Sequence, residues 1–355
     1  MKIVHVVGAR PNFVKVAQVH AACVERRIEQ VIVHTGQHYD DNMSRVFFQE
    51  LGLPHPGVNL GVGSGSHSEQ VANVMIRIEK VIPEMRPNWV LVYGDVNSTM
   101  AAAIACAKLR IPVAHVEAGL RSFDWTMPEE VNRKVTDHVA DLLFTPSDDA
   151  SENLLREGIP PSKIRLVGNV MIDTLVQCLP RAAKLPHSHY PDKYGLVTLH
   201  RPSNVDNDEV LLQVLQALAK VREKLPLVFP VHPRTKQRIE KLEGQPALSQ
   251  IQMLPPLGYL EFLHLEQRAT VVITDSGGVQ EETTFLGVPC LTLRDNTERP
   301  ITVHLGTNLL LGSDYGRLIP EVDKILVGKG KQGQIPPLWD GQSGKRIVDE
   351  LLHIA

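Results

Sequence analysis

The stretch Thr274-Asp275-Ser276-Gly277-Gly278-Val279-Gln280-Glu281-Glu282 joins small residues to carboxylates in an order that suits an anion beside a sugar. It follows the apolar run 270–273 and leads into a helical pattern that stops at Leu286 and Gly287. The order is strand, glycine turn, helix. Ser276, Gly277 and Gly278 would offer backbone N–H groups at a helix N-terminus, where the helix dipole favours an anion. Glu282 follows about one turn later, within reach of sugar hydroxyls. A diphosphate next to a ribose fits both features, which points to a nucleotide.

A second group is acidic and comes from the other half of the chain. Gly94-Asp95 and His115-Val116-Glu117-Ala118-Gly119-Leu120-Arg121 lie at strand ends, and Pro128-Glu129-Glu130 is a third acidic site at a helix start. Asp95 and Glu117 end different strands and are expected to face one crevice. Glu129 and Glu130 sit in a first helical turn, where the dipole alone stabilises an acid. Asp95 could equally cap the helix that starts near Ser98. Glu117 resists a purely structural reading, because it follows a strand with no polar alternation, and a carboxylate there is costly to bury without a task or a partner. Arg10, Lys15 and Arg121 are candidate partners; for Arg10 and Lys15 a solvated helix start is the alternative.

The elements that must position these groups alternate. Strands are expected over 3–7, 31–35, 89–93, 113–116 and 142–145, then over 196–199, 228–231, 271–274 and 291–293. Helical patterns lie between them at 11–26, 69–85, 98–109 and 128–140, then at 209–224, 259–267, 279–286 and 344–354. Repeated β-α units with nearly continuous apolar strands call for parallel sheets covered on both faces. The fold class is α/β with two Rossmann-like domains. An N-terminal domain spans 1–180, a C-terminal domain 181–340, and 341–355 is a C-terminal helix packing back on the first. The polar, proline-bearing stretch 180–194 reads as the linker, with His187 and His189 solvated in it.

Composition narrows the partners. The chain has 355 residues, 43% hydrophobic and 22% charged, with net charge -3. No basic excess favours nucleic acid or an anionic membrane. Four scattered cysteines make no CxxC pair and no disulfide framework, which suits a reducing, cytoplasmic compartment. No apolar run approaches a membrane span. GxGxxG after the first strand and GxxxxGK[ST] are both missing, so bound NAD and ATP-type hydrolysis lose support. His5, His20, His34 and His115 are expected to pack or hydrogen-bond, since nothing like HExxH appears.

Further cations follow strands in the second half. Leu199-His200-Arg201-Pro202 and Val231-His232-Pro233-Arg234 suit phosphate contacts. For Arg234 a loop cation is the simpler reading. Arg299, in Arg294-Asp295-Asn296-Thr297-Glu298-Arg299-Pro300, ends at the same sheet edge as Ser276. Phe262 reads as core, with packing on a base as the alternative.

Together these motifs resemble the non-hydrolysing UDP-N-acetylglucosamine 2-epimerases. The resemblance rests on Gly8-Ala9-Arg10-Pro11 with Lys15, Gly94-Asp95, the segment from His115 to Arg121, Pro128-Glu129-Glu130 with Asn132-Arg133, the segment from Asp275 to Glu282, and Thr297-Glu298-Arg299-Pro300, in collinear order. It implies a glycosyltransferase-B-like fold with a cleft, and reversible inversion at the sugar's second carbon. That family works by anti elimination of UDP through 2-acetamidoglucal and re-addition, without metal or redox cofactor. Carried over, Asp95, Glu117 and Glu129 are the catalytic acids. Arg10, Lys15, His200, Ser276, Gly277, Gly278 and Arg299 bind diphosphate, Glu282 takes the ribose, and Phe262 lies near uracil. Arg133 orients Glu129 or the diphosphate. Gln37, His38 and His232 are candidates for a second site or for closure. The resemblance implies a cytoplasmic homodimer serving cell-surface polysaccharide synthesis, with a UDP-sugar as its small-molecule partner. Two departures stand out: many members read GTRPE where Gly8-Ala9-Arg10-Pro11-Asn12 stands, and a later glutamine of the second-site loop has no match. The variant loop is similar to that of relatives acting on UDP-2,3-diacetamido-2,3-dideoxyglucuronate. A UDP-sugar glycosyltransferase and a non-catalytic UDP-sugar sensor remain the readings of other classes.

Overall fold

A computed structural model of the chain describes residues 1–36, 48, 50–231, 233–241 and 251–354, apart from the side chains of Arg10, Pro233 and Arg234. The chain divides into two compact units, Met1–Gln177 with Pro337–Ala355, and Cys178–Pro336.

Unit 1 is built on β1 (Lys2–Val7), β2 (Glu29–His34), β3 (Val58–Asn59), β4 (Trp89–Tyr93), β5 (Val113–Val116), β6 (Leu142–Thr145) and β7 (Ile164–Leu166). Their order across the sheet is β3-β2-β1-β4-β5-β6-β7, and every pairing is parallel. Every residue of β4, β5 and β6 is buried, as expected of strands covered on both faces. The sheet order reverses direction between β1 and β4. Ligands of open α/β sheets bind at such a point, beyond the carboxyl ends of the strands.

Unit 2 repeats the plan with β8 (Gly195–Thr198), β9 (Leu227–Pro230), β10 (Gln252–Leu254), β11 (Val271–Thr274), β12 (Cys290–Thr292) and β13 (Asn308–Leu310), in the order β10-β9-β8-β11-β12-β13. All its pairings are parallel too. Alternate residues of β8 and β11 feed two separate cores: Val197, Val271 and Ile273 enter one, Leu196 and Val272 the other. That alternation shows both faces of the sheet to be covered. The switch here lies between β8 and β11.

The structure adds four short edge strands, β3, β7, β10 and β13, and shifts several expected strands by one residue. It also corrects the linker. The helix Val170–Ala182 runs through Pro180 instead of ending before it. The following segment is fastened down: His187 Nδ1 lies 3.1 Å from His264 Nε2, and Tyr194 Oη donates to the Leu265 carbonyl at 2.6 Å. His187 packs against the rings of Tyr190, Tyr194 and His264 rather than standing in solvent. Proline and polar residues suggested irregular backbone there; aromatic burial against the helix Tyr259–Glu266 decided otherwise. Among the described residues no helix is long and apolar enough to cross a membrane.

Candidate active site

In unit 1 the switch point is assembled around Asn12. Its side-chain oxygen accepts from the amides of Gly8 and Ala9 at 2.9 and 3.1 Å, and its amide donates to the Tyr93 carbonyl at 2.8 Å. One side chain thus ties the turn after β1 to the end of β4. The helix Arg10–Glu25 carries Lys15, 4% exposed, to the Glu117 carboxylate. Gly94, at φ +63°, ends β4 beneath this pair; a Cβ there would stand 2.5 Å from Lys15 Nζ and 3.7 Å from Glu117 Oε2. Glu117 itself takes φ +72°. A left-handed non-glycine residue costs of order 1–2 kcal/mol, and such outliers cluster at functional sites. Its amide and that of Ala118 both donate to the Phe144 carbonyl, at 3.1 and 3.0 Å, which holds the bend.

Asp95 does not cap the next helix. Val96 is the N-cap residue of Asn97–Lys108, and the Asp95 carboxylate meets Arg133 Nη1 at 2.6 Å. Arg133, in the helix Pro128–Val139, also donates to Glu130 at 3.0 and 2.8 Å and to Ser122 Oγ at 3.2 Å. The neighbouring Asn132 donates to the Asp95 carbonyl at 2.8 Å. Of the two adjacent glutamates, Glu130 is fully buried and accepts from the Ser122 and Phe123 amides at 3.0 and 3.1 Å. Burial opposes its charge, but those amides and Arg133 hold it below the usual carboxylate range. Glu129 stays half-buried on the same first turn. Beneath the site, Asp137 accepts from His115 at 2.7 Å and pairs with Arg121 at 2.7 Å. Burial would raise it, yet His115 and Arg121 keep it low. Arg121 therefore serves Asp137 and Glu157, and Lys15 pairs with Glu117.

In unit 2 the buried Asp275, at the end of β11, organises the turn after β8. It accepts from the amides of His200 at 3.1 Å and Arg201 at 2.9 Å, and from Asn204 at 3.0 Å. His200 Nδ1 lies 3.2 Å from it while the ring stays half-exposed. Ser276 precedes the helix Gly277–Leu286, and its amide is used by Thr274 Oγ1 at 3.0 Å. Arg299 lies over Gly277, where a Cβ would collide with its guanidinium and stand 2.6 Å from Glu298 Oε1. The guanidinium pairs with Glu281 at 2.9 Å and with Glu298. Arg294 and Arg201 reach Glu298 at 2.7 and 3.6 Å. Against the cost of burial, Arg299 and Arg294 drive Glu298 well below the carboxylate range. Glu282, 4% exposed, accepts from Tyr259 Oη at 2.8 Å. Phe262 is half-buried and packs against the core beneath Tyr194 and Leu265. Asn12, Tyr259, Glu266 and the Arg201–Glu298 contact escaped the sequence reading. Gln37, His38 and His232, and the side chains of Arg10 and Arg234, lie outside the described residues.

This layout, two nucleotide-type parallel units with acids at one switch point and a glycine-opened helix at the other, has close counterparts. A sequence profile described as UDP-N-acetylglucosamine 2-epimerase matches residues 21–352. The chain belongs to the UDP-N-acetylglucosamine 2-epimerase family. It is an isomerase with a glycosyltransferase-B-like fold. The UDP-N-acetylglucosamine 2-epimerase of Methanocaldococcus jannaschii is 45% identical over 365 residues, covering 99% of each chain. A crystal structure of a UDP-GlcNAc 2-epimerase from that organism, in complex with UDP-GlcNAc and UDP, superposes with a TM-score of 0.91 over 99% of this chain and 100% of that one. Another relative is the UDP-2,3-diacetamido-2,3-dideoxy-D-glucuronate 2-epimerase of Pseudomonas aeruginosa, 42% identical over 358 residues and all of both chains.

Proposed function

We propose that this member of the epimerase family interconverts UDP-N-acetylglucosamine and UDP-N-acetylmannosamine by anti elimination and re-addition of UDP. A carboxylate takes the proton from the second carbon as the bond from the first carbon to the UDP oxygen breaks, leaving 2-acetamidoglucal and UDP. UDP then returns to the first carbon while an acid protonates the second carbon from the opposite face. Asp95, Glu117 and Glu129 are assigned these proton transfers, Lys15 positions Glu117, and Arg133 orients Asp95. His200, the Gly277 turn and Arg299 are assigned the diphosphate, Glu282 the ribose and Phe262 the uracil. The observation that carries the reading is Glu117: a left-handed, buried carboxylate at a switch point, beside a buried lysine. Asp95 lies in the more open surroundings of the two, 27% exposed at its side chain against 4% for Glu117.

Incubation with UDP-N-acetylglucosamine in deuterated water tests this. Deuterium at the second carbon with UDP still attached is expected. A glycosyltransferase or a sensor would leave that position unlabelled, and such a result would remove the proposal. The Pseudomonas relative motivates a parallel incubation with the diacetamido uronic substrate; faster labelling of that compound would reassign the substrate and keep the chemistry. The same reading makes the protein a cytoplasmic homodimer supplying cell-surface polysaccharide synthesis, and light scattering checks the dimer.

A further inference from the structure

We propose that Glu266 is a positioning residue for the nucleotide site: its protonated carboxyl group donates a hydrogen bond to Glu282 and thereby turns the Glu282 carboxylate towards the ribose diol. The inference rests on the assignment of Glu282 to the ribose. Glu266 ends the helix Tyr259–Glu266 and is completely buried. Among the described residues both of its carboxyl oxygens are buried without a conventional donor, and they lie against the carboxyl group of Glu282, on the helix Gly277–Leu286. Two carboxylates in contact in a buried place do not both ionise, so one proton lies between them. Tyr259 starts the same helix, seven residues before Glu266 and so on the same face. Its hydroxyl donates to Glu282 Oε1 at 2.8 Å. One helix therefore presents two O–H donors, two turns apart, to a single carboxylate.

That geometry has a chemical consequence. An ionised carboxylate accepts about four hydrogen bonds. Two fixed donors set its plane and leave acceptor sites for a 2′,3′-diol. Burial, then the Glu282 charge, pushes the Glu266 carboxyl well above the ordinary range, so Glu266 keeps its proton. Burial raises Glu282 to about 7, against the hydrogen bonds from Tyr259 and Glu266. As pH falls through that value Glu282 takes a second proton and one of its oxygens becomes a donor. The other titratable groups facing the pair do not supply this step. Tyr259 is held protonated by burial and by Glu282, with Cys178 acting on it. Cys290 of β12 is pushed up to about 11, chiefly by burial. Lys331 lies against Cys290, with its ammonium donating to the Asn308 carbonyl at 2.7 Å.

The test uses the full chain and two ligands, UDP and 2′,3′-dideoxy-UDP, titrated by calorimetry between about pH 5.5 and 8.5. The ratio of their dissociation constants isolates the diol, because phosphate titration is common to both. In the wild type, preference for UDP is expected to rise severalfold with pH. Glu266→Gln keeps a donor and leaves the burial that raises Glu282, so its preference and its pH slope should stay close to those of the wild type. Glu266→Leu should lower the preference roughly tenfold, as losing a hydrogen bond to a charged group does; Tyr259→Phe, which removes the other donor, gives the same readout if the leucine variant fails to fold. A preference in Glu266→Gln as low as that in Glu266→Leu would overturn the proposal, as would an unchanged preference in Glu266→Leu. A wild-type ratio near one at every pH would overturn the ribose assignment itself, before any substitution is made.

Discussion

Asp95 pairs with an arginine that has other partners. Asp95→Asn keeps the volume and an acceptor beside Arg133 Nη1, while Arg133 retains Glu130 and Ser122. Turnover is expected to fall about 10²–10⁴-fold, the usual worth of a positioned acid or base, with UDP affinity unchanged; near-normal labelling from deuterated water would remove Asp95 from the chemistry. Glu117 behaves differently because its partner is buried. Glu117→Gln leaves the Lys15 ammonium, 4% exposed, without its counter-charge, which should cost about 3 kcal/mol. Adding Lys15→Met should restore thermal stability but not turnover. A double variant that recovered both would make Glu117 a scaffold residue. The sequence exposed Glu117 because a carboxylate ending an apolar strand has few structural excuses. It could not rank Glu129 against Glu130, since both occupy one first turn and only the Ser122 and Phe123 amides tell them apart. Nor could it find the Glu266–Glu282 contact: periodicity assigns a helix face but not what the face meets.

At the scale of elements, the two switch points depend on glycines for opposite reasons. Gly94 needs a positive φ and leaves room for Lys15. Gly94→Ala adds about 1–2 kcal/mol of backbone strain and displaces the lysine from Glu117. Turnover should therefore fall far more than stability, and an alanine variant with wild-type turnover would show Lys15 to be dispensable. Gly277 has ordinary helical backbone, but a Cβ there meets Arg299. Gly277→Ala should weaken UDP binding, measured by calorimetry, without lowering kcat at saturation. These glycines were legible because each followed an apolar strand. The central strands were legible for the same reason: burial on both faces demands continuous apolar runs. The strands β3, β7, β10 and β13 were not. Each is two or three residues long and at least partly exposed. Such edges exist through pairing with a neighbour, which no local pattern records.

Over the whole molecule, buried acids make stability depend on pH. Glu282 titrates near 7 when folded and near 4.5 when unfolded, so the folded state binds more protons between those values. Its contribution is complete below about pH 4.5 and is lost as pH rises through 7, at up to about 1.4 kcal/mol per unit. Urea unfolding of Glu282→Gln should show a flatter profile over that window; an unchanged slope would mean that the carboxyl pair is not the source. Chain connectivity makes a separate demand. Unit 1 is completed only by residues 337–355, after the chain has built unit 2. Trp339, 2% exposed, donates its indole N–H to the Pro146 carbonyl at 3.0 Å. Gly344, opening the C-terminal helix Ser343–Ile354, donates to Asp173 at 2.7 Å, and a Cβ on it would stand 2.8 Å from the Gln18 backbone. Gly168, at φ +90°, has no room for a Cβ against the Leu338 carbonyl. The returning segment is thus fitted to four places in unit 1, whereas the two cores of unit 2 are made from its own residues. Trp339→Ala should cost unit 1 about 3–5 kcal/mol, as large-to-small core changes do. Calorimetry with proteolytic mapping would then find cleavage sites in 1–177 appearing at a lower temperature, while 178–336 keeps its resistance. Equal loss in both units would show that they unfold as one cooperative body, and the C-terminal segment would then stabilise the whole chain and not unit 1 alone.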